Sequence, residues 1–199
     1  MPTATRPFQV VLVRHGQTEW SQAGRHTGRT DLPLLEEGRR MGRTLAGPLG
    51  EWRFRAVWTS PLQRAHETCV LAGYGEVAQL RDALQEWDYG AHEGKTSAEL
   101  RARRPGWSLW EHGVPEGETL AQVGARADAV IAEARAAGGD VALFSHGHLL
   151  RVLAARWLGL PPEGGRLLAL GTASISVLGW DGAGTQPLLE RWNDTTHWR

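Results

Sequence analysis

The chain has 199 residues, of which 41% are hydrophobic and 22% are charged, a composition typical of a globular protein. This length suits one domain with a sizeable core, and we expect a single domain over residues 1–199. Because 22 basic residues balance 22 acidic ones, the formal net charge is zero, and we expect neither a nucleic-acid nor a membrane partner. No apolar run approaches the ~20 residues that span a bilayer.

The cysteine content and the first residues bear on the compartment. Cys69 is the single cysteine, so no disulfide can form within the chain and a reducing environment is expected. Residues 1–7 carry one arginine and no long apolar run, which does not resemble a secretory signal. We therefore expect a cytoplasmic protein in which Cys69 is a buried packing thiol.

The first half of the chain predicts two strands with helices after them. The apolar run 8–13 predicts a buried strand that ends at Arg14-His15-Gly16, and a helix is expected over 36–45. The run 56–58 predicts a second strand. Ser60 followed by Pro61 predicts the start of the next helix, because a hydroxyl caps the helix and proline fits its first position.

The second half continues the alternation. Thr119 and Gln122 predict a capping box that begins a long helix. The run 141–144 predicts a third strand, which ends at Ser145-His146-Gly147 and passes directly into another helix. Two further strands are expected over 173–178 and 188–192.

Strands that alternate with helices predict an α/β fold, here a three-layer α/β/α sandwich with a mainly parallel central sheet. Ligands of such sheets bind at the carboxyl ends of the strands. If the three strand ends are neighbours, they bring together Arg14, His15, Arg64 and His146.

These residue types suit phosphoryl transfer. The transferred group spreads negative charge over its oxygens, and arginine binds such oxygens with a planar, permanently charged fork, as Arg14 and Arg64 could do. A neutral imidazole at His15 could attack phosphorus, with His146 donating a hydrogen bond to the phosphate and Gly147 contributing the N-terminus of a helix. Glu86 is the best candidate for the acid that protonates the leaving oxygen.

The same residues carry a resemblance to a known family. Segments 11–20, 27–34, 59–65, 86–94 and 145–148 occur in the order found in the histidine phosphatase superfamily, also called phosphoglycerate mutase-like, which the chain resembles over nearly its whole length. The resemblance implies His15 as the nucleophile, Arg14, Arg64 and His146 on the phosphate, and Glu86 as the proton donor. It implies neither a metal nor a dissociable cofactor.

Details of the motifs favour one subgroup. Mutases of this superfamily usually have asparagine where this chain has Ser21, and they place basic residues after the catalytic glutamate, where this chain has Trp87 and Asp88. The chain instead resembles a subgroup of bacterial acid phosphatases and the fungal sedoheptulose bisphosphatase. We therefore expect a metal-independent phosphatase that hydrolyses small phosphorylated metabolites, sugar phosphates or bisphosphates, through a phosphohistidine.

Substrate contacts and competing interpretations remain open. The expected contacts beyond the phosphate clamp are Trp20, Ser21, Thr27, Gly28, Tyr89 and Gly147, with His26 as a further wall residue. The basic run 101–104 is either a solvated helix face or a binding site for a second phosphate at the pocket rim. The alternatives are mutase-type phosphotransfer, a non-catalytic module that binds phosphorylated ligands, and a metal enzyme that uses His146 and His148.

Overall fold

A computed structural model describes residues 7–198 and shows one mixed six-stranded sheet. Its strands are β1 (Val10–Arg14), β2 (Ala56–Thr59), β3 (Ala78–Leu80), β4 (Val141–Ser145), β5 (Ile175–Trp180) and β6 (Pro187–Asp194). The spatial order is β3-β2-β4-β1-β5-β6. The first four pair in parallel, whereas β5 runs antiparallel to both β1 and β6.

Eight helices connect the strands in the described part of the chain. They are α1 (Glu19–Gln22), α2 (Glu36–Thr44), α3 (Ala46–Leu49), α4 (Gln63–Leu71), α5 (Ser97–Arg103), α6 (Leu109–His112), α7 (Leu120–Ala136) and α8 (Gly147–Trp157). Three short 3₁₀ turns cover Asp82–Leu84, Gly90–His92 and Pro162–Leu167. No helix within residues 7–198 is long and apolar enough to cross a membrane.

The sheet is covered by helices on both faces, as predicted. Along β1, Val10 and Leu12 point into a core shared with α7 and α8, whereas Val11 and Val13 point into a core shared with α2, α3 and α4. This alternation follows from the two-residue period of a strand. The predicted three-layer α/β/α sandwich with a mainly parallel sheet is confirmed.

Two predictions about local structure need correction. The helix expected to have Ser60 as its cap and Pro61 as its first residue starts two residues later, at Gln63, and Ser60 does not cap it. Instead, the Ser60 hydroxyl accepts a hydrogen bond from the Leu62 N–H at 3.3 Å and contacts His146 Nε2 at 2.8 Å. Strand β3 was not predicted, because its three residues are half-buried or exposed and show no apolar run.

Other local predictions are confirmed. Thr119 and Gln122 form the predicted capping box at the start of α7. Cys69 is fully buried, and burial raises the pKa of its thiol to about 12, as expected for a packing residue. Because β1 and β4 are neighbours in parallel register, with Arg14 opposite Ser145, the polar segments that follow them emerge at the same edge of the sheet.

Candidate active site

His15 follows the last residue of β1 and is held there by backbone hydrogen bonds on both sides. Its N–H donates to the Ser145 carbonyl at 3.0 Å, and its carbonyl accepts from the Ala173 N–H at 3.0 Å. The ring nitrogen Nδ1 lies 2.7 Å from the Gly16 carbonyl oxygen. Since a carbonyl only accepts, Nδ1 carries the proton, and in the neutral ring the lone pair is on Nε2.

The surroundings of His15 oppose its protonation. Burial, with added repulsion from the positive charges of Arg64 and Arg14, holds the pKa of His15 well below its usual value of 6.5. The His146 ring lies 5.2 Å from the His15 ring, and burial next to the same arginines also lowers the pKa of His146 well below 6.5. Both imidazoles are therefore neutral near neutral pH.

Three buried nitrogen atoms around His15 have no hydrogen-bond partner among the residues that the structure describes. They are Arg14 Nε, Arg64 Nε and His146 Nδ1. A buried polar group without a partner costs free energy, so such groups commonly mark a ligand site. The two guanidinium groups make this cluster suited to an anion.

Arg64 is fully buried and is fixed by the loop after α1. It donates hydrogen bonds to the carbonyls of Thr27, Gly28 and Thr30 over 2.9–3.1 Å. Glu93 holds the same loop from the other side, because its carboxylate accepts the Gly28 and Thr30 N–H groups at 2.8 and 3.0 Å. The sequence reasoning did not assign Glu93 a role, although it lies within one of the family-like segments.

Glu86 faces the site from the loop after the first 3₁₀ turn and is only 5% exposed. Its carboxylate accepts hydrogen bonds from the backbone N–H groups of Trp87, His148 and Leu149 at 2.9–3.0 Å. Two N–H groups of the α8 N-terminus are therefore bonded to Glu86, and phosphate binding at Gly147 stays a prediction. Gly147 lies beside the Arg14 guanidinium, where an added Cβ would be 3.4 Å from Cζ.

A cavity of about 330 Å³ opens in front of His15 and Glu86. Of the expected contact residues, Ser21, His26, Thr27, Tyr89 and Gly147 line it. Arg25, His148 and Arg151 also line the cavity, with Trp107 and Trp110, and none of these five is among the expected substrate contacts. Arg25 lies in the loop after α1, Trp107 and Trp110 lie before and within α6, and His148 and Arg151 lie on α8, so their approach to His15 depends on tertiary packing.

Two expected contacts do not line this cavity. The Trp20 ring packs against Gly94, where an added Cβ would lie 2.9 Å from the indole. Gly28 is buried behind the wall, and its N–H is bonded to Glu93. The expected role of Ser21 also changes, because its hydroxyl donates to the Thr18 carbonyl at 3.0 Å within the α1 capping box.

The inner wall is built from stacked and edge-to-face rings. His26 and His148 stack with ring centres 6.2 Å apart, and the Tyr89 hydroxyl lies 2.6 Å from His148 Nδ1. The contact with Tyr89 occupies Nδ1 of His148. Within residues 7–198, no group of three histidine, cysteine or acidic side chains is arranged to hold a metal ion.

Comparison with known proteins places these residues in a family. A family model described as the histidine phosphatase superfamily, branch 1, matches residues 10–195. The chain is 41% identical to an acid phosphatase of Mycobacterium tuberculosis, over 88% of each chain. It is 36% identical to a sedoheptulose 1,7-bisphosphatase of Saccharomyces cerevisiae, covering 80% of this chain and 70% of that protein.

The fold agrees with these relationships. The solved structure of an open reading frame from Mycobacterium tuberculosis superimposes with a TM-score of 0.89 at 38% identity, covering 94% of this chain and 98% of the other. A match of this extent, together with the family match across the whole sheet, leaves no ambiguity about ancestry. The chain belongs to the histidine phosphatase superfamily, branch 1.

Proposed function

We propose that the protein hydrolyses phosphate monoesters of small sugar-like metabolites through a phosphohistidine on His15. The observation that carries this proposal is the cluster of three unpartnered buried nitrogens, Arg14 Nε, Arg64 Nε and His146 Nδ1, around a neutral imidazole. A phosphate group would give each of these nitrogens a partner and would neutralise both arginines.

His146 donates to the phosphate if its proton is on Nδ1. The Ser60 hydroxyl accepts the Leu62 N–H at 3.3 Å, which leaves its own proton to donate to His146 Nε2 at 2.8 Å. In that arrangement Nε2 is the acceptor, so Nδ1 carries the proton and serves as a donor to the bound phosphate.

In the first step, the lone pair of His15 Nε2 attacks phosphorus. The N–P bond forms as the P–O bond to the leaving group breaks, and the charge on the phosphoryl oxygens is stabilised by Arg14, Arg64 and His146. Glu86, in its protonated form, gives its proton to the leaving oxygen, which departs as an alcohol.

In the second step, the Glu86 carboxylate takes a proton from a water molecule that attacks the phosphohistidine. The O–P bond forms as the N–P bond breaks, and His15 returns to its neutral form while inorganic phosphate leaves. Three backbone N–H groups hold the Glu86 carboxylate in place for both steps.

The cavity supports a sugar-like substrate. It combines aromatic walls at His26, Tyr89 and Trp107 with polar groups, and its volume of about 330 Å³ falls in the range of small-molecule sites. The names of the two relatives, an acid phosphatase and a sugar bisphosphatase, agree with this class. The proposal includes a single domain for the chain and a cytoplasmic location, the latter supported by the buried single thiol of Cys69.

The test is phosphate release from p-nitrophenyl phosphate in the presence of a metal chelator, for wild type and His15→Ala. Hydrolysis that survives the chelator and disappears in the variant is the expected result. Hydrolysis that persists in His15→Ala would contradict the proposal. Binding of phosphate without any hydrolysis, on this ester or on a panel of sugar phosphates, would favour a binding module instead.

A further inference from the structure

We propose that Arg101 forms a second anion-binding subsite at the outer part of the active-site cavity, and that it holds a second phosphate of a bisphosphate substrate. This inference rests on the proposed function, since it presumes that the scissile phosphate lies at His15. It specifies the substrate class more narrowly than the phosphate-binding residues do, and it adopts the ligand-site interpretation of the basic run 101–104.

The cavity carries more positive charge than one phosphate needs. Four arginines line it, Arg14, Arg25, Arg101 and Arg151, against the single carboxylate of Glu86. One phosphate at His15 is already matched by the charges of Arg14 and Arg64. The remaining positive charge lies at the outer part of the cavity, where it favours a second anionic group on the same ligand.

Two of the outer arginines are already engaged. Arg25 donates to the Gly94 carbonyl at 2.7 Å and lies 3.6 Å from the Glu99 carboxylate. Arg151 donates to the Gly165 and Arg166 carbonyls at 3.0 and 3.2 Å, and its guanidinium lies over the Trp110 ring. Both add to the positive potential, but their donors are largely committed to the protein.

Arg101 differs from its neighbours in this respect. Its one hydrogen bond within the described residues is from Nε to the Trp107 carbonyl at 3.4 Å, and it forms no ion pair there. That bond orients the side chain and leaves the two terminal nitrogens of the fork to bind a ligand, in the geometry that suits a phosphate. Arg101 and His15 line the same cavity, whose volume of about 330 Å³ is in the range of small-molecule sites.

Helix α5 also provides a matched control. Arg101 and Arg103 lie on the same helix and are both exposed, but of the two only Arg101 lines the cavity. Arg103→Ala therefore removes the same charge from the same helix without removing a cavity residue. Arg101→Lys keeps the charge of the side chain and removes its forked geometry.

The experiment measures inhibition of p-nitrophenyl phosphate hydrolysis by a series of alkanediol bisphosphates of increasing length, each paired with its monophosphate. Wild type is expected to bind the best bisphosphate about tenfold or more tightly than its monophosphate, as one charged hydrogen-bonded contact implies. In Arg101→Ala the ratio of the two inhibition constants falls toward one. Arg103→Ala keeps the wild-type ratio, and Arg101→Lys is intermediate.

Two outcomes would overturn the inference: a wild-type ratio near one at every length, or a preference that survives Arg101→Ala. Failure of the proposed function is a separate observation, because wild type would then not hydrolyse p-nitrophenyl phosphate at all. In that case, calorimetric titration of the same ligand pairs into the same variants still measures the ratio of affinities.

Discussion

Arg126 and Glu118 form a bidentate ion pair that fixes the backbone on both sides of Glu86. Arg126 Nε and one terminal nitrogen lie 3.0 and 2.8 Å from the two Glu118 carboxylate oxygens. Arg126 also donates to the Gln85 carbonyl, just before Glu86, while Glu118 accepts the Asp88 N–H at 2.9 Å, just after it. The pair is largely shielded from water, with side chains 15% and 18% exposed.

Loss of this pair is expected to impair proton donation by Glu86 more than any other step. For Arg126→Met we expect kcat/KM on an alkyl phosphate, which reports formation of the phosphohistidine, to fall by about 10- to 100-fold, part of what general acid catalysis contributes. The fall on p-nitrophenyl phosphate should be much smaller, because p-nitrophenolate leaves without needing a proton. Steady-state kinetics on the two esters give this comparison directly.

The control for that variant is Arg156→Met. Arg156 pairs with Asp128 of α7 at 2.8 Å, so this change also removes an ion pair involving α7 but contacts no backbone group near Glu86. We expect it to affect both esters equally and little. An equal loss on both esters in Arg126→Met would show that the Arg126–Glu118 pair acts on general stability and not on Glu86.

The pH dependence of the rate follows from His15. Burial and the adjacent Arg64 and Arg14 charges keep the pKa of this histidine well below 6.5, so the neutral nucleophile persists into acid. We expect that kcat/KM, corrected for the second ionisation of the substrate phosphate at about pH 6, does not fall as the pH decreases through 6.5. A fall in kcat/KM toward acid, with its midpoint at the usual histidine pKa, would contradict the claim that His15 is held neutral by its surroundings.

The stability of the fold is expected to fall in mild acid. Burial holds the pKa values of His15, His146 and His148 well below 6.5 in the folded chain, whereas the unfolded chain titrates near that value. The unfolded state therefore gains protons that the folded state does not, and stability decreases as the pH falls through 6.5. Each histidine accounts for up to about 1.4 kcal/mol per pH unit in that window.

Urea unfolding above and below this pH measures the effect. The free energy of unfolding should reach its full value above about pH 7.5, where the unfolded chain is also neutral at these positions. His148→Gln should show a smaller loss toward acid than wild type, because it removes one of the three groups. A free energy of unfolding that does not change between these conditions would contradict the burial of neutral histidines.

The fold could be predicted well from the sequence where the local signals and the packing agree. Strands β1 and β4 are continuous apolar runs, and the capping box of α7 is a local pattern, so each was predicted within one or two residues. Strand β3 was missed because it lies at the edge of the sheet and its residues are not an apolar run. The prediction that Ser60 caps a helix was wrong because its hydroxyl instead contacts His146, which is 86 residues away in the sequence.

In the candidate site, the residues around His15 could be predicted from the sequence more completely than the outer wall of the cavity. Residues His15, His146 and Glu86 lie in segments that resemble a family, and they come together as the neighbouring strand ends require. The outer wall was predicted less completely: the basic run 101–104 was left open between a solvated helix face and the pocket rim, because Arg101 and Trp107 reach the cavity through the packing of helices α5 and α6. Such placement depends on contacts between distant segments, which local periodicity does not encode.

The loop that carries His15 is expected to tolerate no side chain at Gly16. A Cβ there would lie 2.3 Å from the Gly38 carbonyl oxygen at the start of α2. Gly16→Ala must therefore push the loop away from α2, and we expect it to destabilise the protein by about 1–3 kcal/mol and to lower kcat. Unfolding curves and kinetics on p-nitrophenyl phosphate measure both effects.

Gly47→Ala is the matched control for this prediction. Gly47 is exposed in α3, and an added Cβ there meets no atom within 4 Å. Alanine at that position should raise stability by about 0.5–1 kcal/mol, because it restricts the unfolded chain, and should leave kcat unchanged. If Gly16→Ala behaved like Gly47→Ala, the close approach of the His15 loop to α2 would not exist.

The most direct test of the mechanism is to trap the phosphoenzyme with a substrate that carries radiolabelled phosphate, followed by an alkaline quench. Glu86→Gln suits this experiment with p-nitrophenyl phosphate, because the first step then needs no proton while the second lacks its base. We expect one burst of p-nitrophenolate per active site and radiolabel on His15. Neither is expected when His15→Ala is combined with Glu86→Gln. Label on another residue, or turnover without His15, would contradict the mechanism.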